Sequence, residues 1–209
     1  MKLARFEKIL FAVNAAYILP AAAYFVSIGN YEFLLYVVQM VVVLLALAAT
    51  ARKSEFTIPI LLGLSVWGAL HMAGGGVRVG DSVLYAMEIW RVADIGDTYI
   101  FKFDQLVHAF GFGVATFAVY HILRRAMALP APRVSLVVIS VFAGMGLGAI
   151  NEMIEFVPVL ALSENGVGGY YNTALDLCAN AFGAVVAGAT ILIRAKRNGK
   201  ALTTPVAQG

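Results

Sequence analysis

Asp104 and His108 stand four residues apart in FDQLVHAFGFG, Glu152 and Glu155 three apart in NEMIEF, and Asp176 and Asn180 four apart in NTALDLCANAFGA. At helical spacing each pair shares one face of its segment. Asn151 lies on the face of Glu152 and Glu155. Asn172, Asp176 and Asn180 recur every four residues and form a polar stripe about 12 Å long at the rise of a helix. Imidazoles and carboxylates gathered in this way can do three kinds of chemistry. They can ligate a divalent metal ion as helix-bundle dinuclear centres do, although the Glu-x-x-His pairs of those centres are replaced here by Asp-x-x-x-His and Glu-x-x-Glu. They can act without metal as an acid–base or lipid-headgroup site, the crowded carboxylates sharing protons. They can also form a buried polar network, as a brace between helices or as the proton path of a carrier. The candidate catalytic residues are Asp104, His108, Glu152, Glu155 and Asp176. The same five with His71 are the candidate metal ligands, and Asn151, Asn172 and Asn180 are candidate lining.

The segments that must position these groups are apolar. The chain of 209 residues is 61% hydrophobic and 13% charged, with a mean hydropathy of +0.85. Soluble domains carry about 25% charged residues, so the composition is that of an integral membrane protein. Six apolar segments, near 9–29, 31–50, 56–73, 104–123, 134–158 and 173–193, are long enough to cross roughly 30 Å of hydrocarbon. The expected fold is an all-α, six-helix transmembrane bundle forming one membrane domain over 1–209. Residues 1–55 supply peripheral helices, 56–193 the bundle with the polar pocket, and 194–209 a cytoplasmic tail.

Lysine and arginine orient the bundle. Twelve of the 15 basic residues fall before segment one, after two, between four and five, or after six, leaving Arg78, Arg91 and Lys102 on the other face. Both termini are therefore expected in the cytoplasm, in a cell (inner) membrane. The pI near 9 reads as topology, and no nucleic-acid patch is present. Lys8, an apolar run and Pro20-Ala21-Ala22-Ala23 also have the form of a cleavable signal peptide, but the charge count already works with six spans. Cys178 is the only cysteine, expected to serve packing.

In this orientation His71, Glu152 and Glu155 come late in outward segments, and Asp104, His108, Asp176 and Asn180 early in inward ones. All share one depth, in the outer half of the bilayer, in a pocket opening outwards. Gly74-Gly75-Gly76 is expected to break segment three. Residues 77–103 form the long outer connection and, being rich in aromatics, are expected to cap the pocket, with a short amphipathic helix near Val83–Val92. Segment two looks lipid-facing, with Gln39 suited to a helix–helix hydrogen bond. His121, beside Arg124 and Arg125, belongs to the other interface. Gly144, Gly146 and Gly148 permit close helix contact. The stretch GVGGYYN, 166–172, enters segment six, where free backbone N–H groups could meet an anion. There is no G-x-S-x-G, no H-E-x-x-H and no Walker-type phosphate loop.

FDQLVHAFGFG, NEMIEF and GGYYNTALDLCANAFGA together resemble the YjdF-like family of uncharacterised bacterial and archaeal inner-membrane proteins. The last block, with Asp176, Asn180, Gly183 and Ala184, is also similar to the VanZ-like family, associated with glycopeptide resistance and the cell envelope. The resemblance covers roughly 70–185 and implies Asp104, His108, Glu152, Glu155 and Asp176 as family positions. GYYNT stands where many YjdF-like members carry a longer Gly-Asp-x-Trp-Asp turn. The expected function is a membrane-embedded protein that binds or acts on a lipid or envelope precursor, with a divalent metal ion as candidate cofactor. The alternatives are a small proton-coupled transporter and a non-enzymatic scaffold. Segments 1–3 and 4–6 share no polar pattern, which disfavours a carrier of the repeat type.

Overall fold

The computed structural model describes residues 5–96, 98–128, 134–162 and 168–197. Six helices follow the six apolar segments: α1 (Arg5–Ser27), α2 (Tyr31–Ser54), α3 (Ile58–Gly76), α4 (Phe103–Ala126), α5 (Val134–Ala161) and α6 (Tyr170–Arg197). All six are long and apolar enough to cross a membrane. Each outruns its hydropathy window at one or both ends. Charged residues such as Arg124 and Arg125 stay helical in the last turn of α4, where they complement the negative end of the helix dipole.

The helices pack as two groups joined at α3 and α4. Helices α4, α5 and α6 contact one another closely, α1 rests on α2 and α3, and α3 abuts α4. Without a hydrophobic drive inside lipid, association depends on close packing of small residues. At Gly183 of α6 a Cβ would lie 1.8 Å from the carbonyl oxygen of Ala109 on α4, so these two backbones touch directly. Gly144 and Gly148 of α5 leave room for Thr116 and Asn180, whereas Gly146, expected to join them, faces open space. Cys178, expected in packing, is exposed on the outside of α6.

Two further expectations are corrected. Helix α3 runs through Gly74, Gly75 and Gly76 instead of breaking there. The glycines persist because rings occupy the space a side chain would need: a Cβ on Gly75 would meet Phe33 at 1.8 Å and one on Gly74 would meet Tyr85 at 2.5 Å. Segment two is not simply lipid-facing, since Glu32, Phe33, Tyr36, Val37 and Met40 are buried against α1 and α3.

Residues 77–102 cap one end of the bundle, called here the cap end, but contain no amphipathic helix over 83–92. Two short antiparallel hairpins stand there, β1 (Arg78–Val79) with β2 (Ser82–Val83) and β3 (Asp94–Ile95) with β4 (Thr98–Tyr99), with one 3-10 turn at Leu84–Ala86. Gly80 and Gly96, each followed by Asp in the sequence, sit at the bends with φ of +59° and +57°. A Gly-Asp pair between short strands is a recognisable hairpin signal, and it outcompetes the amphipathic pattern. The cap is tied down at Tyr85, whose hydroxyl hydrogen-bonds Nδ1 of His71. Burial pushes the Tyr85 pKa well above its ordinary value, so this phenol stays protonated.

Candidate functional site: a histidine among four carboxylates

Helices α4, α5 and α6 bring Asp104, His108, Glu152, Glu155 and Asp176 together at the cap end. His108, Glu152, Glu155 and Asp176 are buried, Asp176 completely. With Asp104 still 14% exposed, the cluster is closed over except at that edge, where a more open pocket was expected. Ligand atoms of Asp104, His108 and Asp176 lie within 4.8 Å of one another, as do those of His108, Glu152 and Glu155. His108 is common to both groups.

The two ring nitrogens of His108 have different surroundings. Nδ1 lies 3.1 Å from Asn180 Oδ1 and 3.2 Å from Glu152 Oε1. Nε2 lies 3.4 Å from Asp104 Oδ1 and 3.6 Å from Glu155 Oε1. Nδ1 faces only acceptors and therefore carries a hydrogen. A bare lone pair on Nε2 would be aimed at two carboxylate oxygens and repelled by both, so positive charge, a proton or a cation, belongs between them.

The asparagines organise the carboxylates. Asn180 Nδ2 donates to Glu152 Oε1 at 3.3 Å, Asn151 Nδ2 to Glu155 Oε1 at 2.6 Å, and Asn172 Nδ2 to Asp176 Oδ2 at 2.6 Å. Lys102, at the mouth of α4, donates to Asn172 Oδ1. The Gln105 side chain caps the start of α4 by accepting from the N–H of Phe101 at 2.6 Å and Lys102 at 3.2 Å. This holds Asp104 in the first turn of the helix. Among the described residues no lysine or arginine forms an ion pair with any of the four carboxylates; Arg91 pairs instead with Glu88 and Asp94, and Arg125 with Glu55. Asp176 Oδ1 is buried without a hydrogen-bond partner, although buried polar atoms are normally satisfied.

His71 belongs to neither donor group. It sits one layer away in an aromatic nest of Tyr36, Trp67 and Tyr85, with ring centroids 5.3, 6.2 and 5.6 Å distant. Its Nε2 is also buried and unpartnered. His121 stands apart, with Nε2 2.9 Å from the carbonyl oxygen of Ser54. In the stretch 166–172, residues 166 and 167 lie outside the described residues.

Gln39, expected to make a helix–helix hydrogen bond, makes one, and only its link to the cluster was not foreseen; Tyr85 was missed altogether. Gln39 of α2 donates from Nε2 to Asn151 Oδ1 at 2.8 Å, which links the second segment to Glu155. Its signal was present, as the one amide in a long apolar run at the depth of the cluster. Tyr85 reaches His71 from the cap, and no periodicity in a loop could have aimed it.

A family model described as "Predicted membrane protein (DUF2238)" matches residues 9–197. This is the YjdF-like family whose pattern the helical blocks resemble; the VanZ-like resemblance is not matched. No curated protein and no solved structure matches the chain.

Proposed function

The chain belongs to the DUF2238 family of predicted membrane proteins, and we propose that its His108 cluster is a divalent-metal site in a membrane-embedded protein that binds or acts on a lipid or cell-envelope amphiphile. Support comes first from the spacing around Nε2. Distances of 3.4 and 3.6 Å to two carboxylate oxygens are long for charge-assisted hydrogen bonds, which run roughly 2.7–2.9 Å. Ligands held at roughly 2.0–2.2 Å around one ion at tetrahedral angles stand roughly 3.3–3.6 Å apart.

The donor chemistry fits as well. Four carboxylates that form no ion pair with a lysine or arginine among the described residues are costly inside hydrocarbon, and an ion offsets that cost. The unpartnered Asp176 Oδ1 is a further ligand atom in reach. One imidazole among many oxygens suits a hard to borderline divalent ion. Asp104, His108 and Asp176, one of the two donor groups, would hold it, with Glu155, 3.6 Å from His108 Nε2, standing beside them. Glu152 and Asn180, on the Nδ1 side, orient the ring as outer partners of a ligating histidine usually do. When bound, such an ion supplies Lewis-acid polarisation of a substrate oxygen.

The amphiphilic substrate class follows from depth. The cluster lies at one end of the bundle beneath a cap, and Trp90 and Tyr170 at that end are 72% and 81% exposed, as suits rings at a headgroup interface. By the distribution of basic residues this end faces outwards and both termini are cytoplasmic. Elemental analysis of detergent-purified protein tests the proposal. We expect a stoichiometric divalent ion that a chelator removes with loss of thermal stability. Protein without any ion, but moving protons with a solute, would make it a carrier.

A further inference from the structure

Between α2 and α5 an apolar groove of ≈ 600 Å³ runs along the bundle, walled by Val42, Ile150 and Ile154 and floored by Trp67 and Ala115. This volume is within the range of small-molecule sites, roughly 300–1,000 Å³. Along α5 it extends about 15 Å from Leu147 to Val157 at helix rise, and its lining continues to Ile122 on α4 and Phe56 before α3, toward the end opposite the cap. It lies among membrane-spanning helices, so hydrocarbon surrounds its opening.

Two residues of its lining are polar, Gln39 and Asn151, and both connect to the His108 cluster. Asn151 donates from its amide nitrogen to Glu155 Oε1 and accepts at its amide oxygen from Gln39 Nε2. The direction of this chain leaves Gln39 Oε1 pointing elsewhere, and that atom is buried without a hydrogen-bond partner. An acceptor fixed beside an apolar groove calls for a donor attached to something apolar.

We infer that the α2–α5 groove takes a hydrocarbon chain of a membrane lipid, entering sideways from the bilayer, with a hydroxyl or amide N–H near its polar end donating to Gln39 Oε1. This rests on the proposed function and names the substrate class of that site: a lipid with hydrogen-bond donors in its head, presented two amides from Glu155. The Gln39–Asn151 pair separates the greasy part of the substrate from the charged part of the site.

Trp67 reports on the groove directly, because a Trp90→Phe background leaves it the only tryptophan of two. The protein is reconstituted in vesicles of phosphatidylglycerol or phosphatidylcholine, each with plain or chain-brominated lipid. Bromine in the groove should quench Trp67, more in phosphatidylglycerol, whose glycerol head carries hydroxyl donors, and Gln39→Leu should erase the difference between the two lipids. Ala115→Phe, which fills the floor, should abolish quenching while metal content stays unchanged. Should that variant fail to fold, Val42→Phe at the exposed mouth serves the same purpose. An unquenched Trp67, equal quenching by both lipids, or quenching that survives both fillers would overturn the inference; an unquenched Trp67 is also what a second copy of the chain seated in the groove would give. Quenching without metal would remove the metal site and leave the groove, and metal without quenching would do the reverse.

Discussion

Glu155 separates chemistry from scaffolding. Glu155→Gln preserves volume and hydrogen bonding to Asn151 but removes a charge, so a purely structural network should tolerate it. We expect unchanged or slightly raised thermal stability with loss of the bound ion, measured by melting and elemental analysis on the same sample; Asp176→Asn should behave alike. Glu152→Gln touches only the Nδ1 side of His108 and should weaken metal affinity by about 10–100-fold without abolishing it. Unfolding by both Glu155→Gln and Asp176→Asn would mean that the carboxylates brace the bundle. At Tyr85 the sign of the pH effect follows from its raised pKa. The contribution is complete below the ordinary phenol pKa of about 10 and is lost as pH climbs toward the higher folded value. Tyr85→Phe should therefore lower stability by about 1–3 kcal/mol at neutral pH and flatten the alkaline limb of the melting profile. Asp104, His108, Glu152, Glu155 and Asp176 were legible because charge is rare in such a chain. The separate position of His71 was not, because depth fixes height along the bundle and says little about which helix faces which.

Among the elements, the contact of α4 with α6 is the most exacting. At Gly183 a methyl group would strike the Ala109 carbonyl, so Gly183→Ala should cost about 1–3 kcal/mol or more and, by parting α4 from α6, lower metal content too. Gly146→Ala meets nothing within 4 Å and should be neutral or at most about 1 kcal/mol stabilising; detergent melts of the two variants decide. Six helices could be read from hydropathy because each apolar run carries that information locally. The continuation of α3 through three glycines could not, since Phe33 and Tyr85, which occupy the vacated space, are remote in sequence. The hairpins of the cap were foreshadowed by the repeated Gly-Asp at 80–81 and 96–97, a signal overshadowed by the aromatics between them.

For the whole molecule, orientation decides whether the cluster serves the outer or the inner leaflet. Ser82, in the cap hairpin, and Ala126, at the far end of α4, are both exposed. In a Cys178→Ala background, a cysteine at Ser82 should react with an impermeant thiol reagent added outside cells, and one at Ala126 should not. The reverse pattern would place the cap and the cluster on the cytoplasmic side.

Asp104 and His108, Asn151 and Glu155, and Asn172 and Asp176 are each partners four residues apart on a single helix. This has a consequence for biogenesis. A helix leaving the insertion machinery meets lipid before it meets its siblings, and a naked carboxylate at that moment would favour its return to water. Here each of the three late helices carries a companion for one of its carboxylates, one turn away, and can wait in the bilayer until the others arrive.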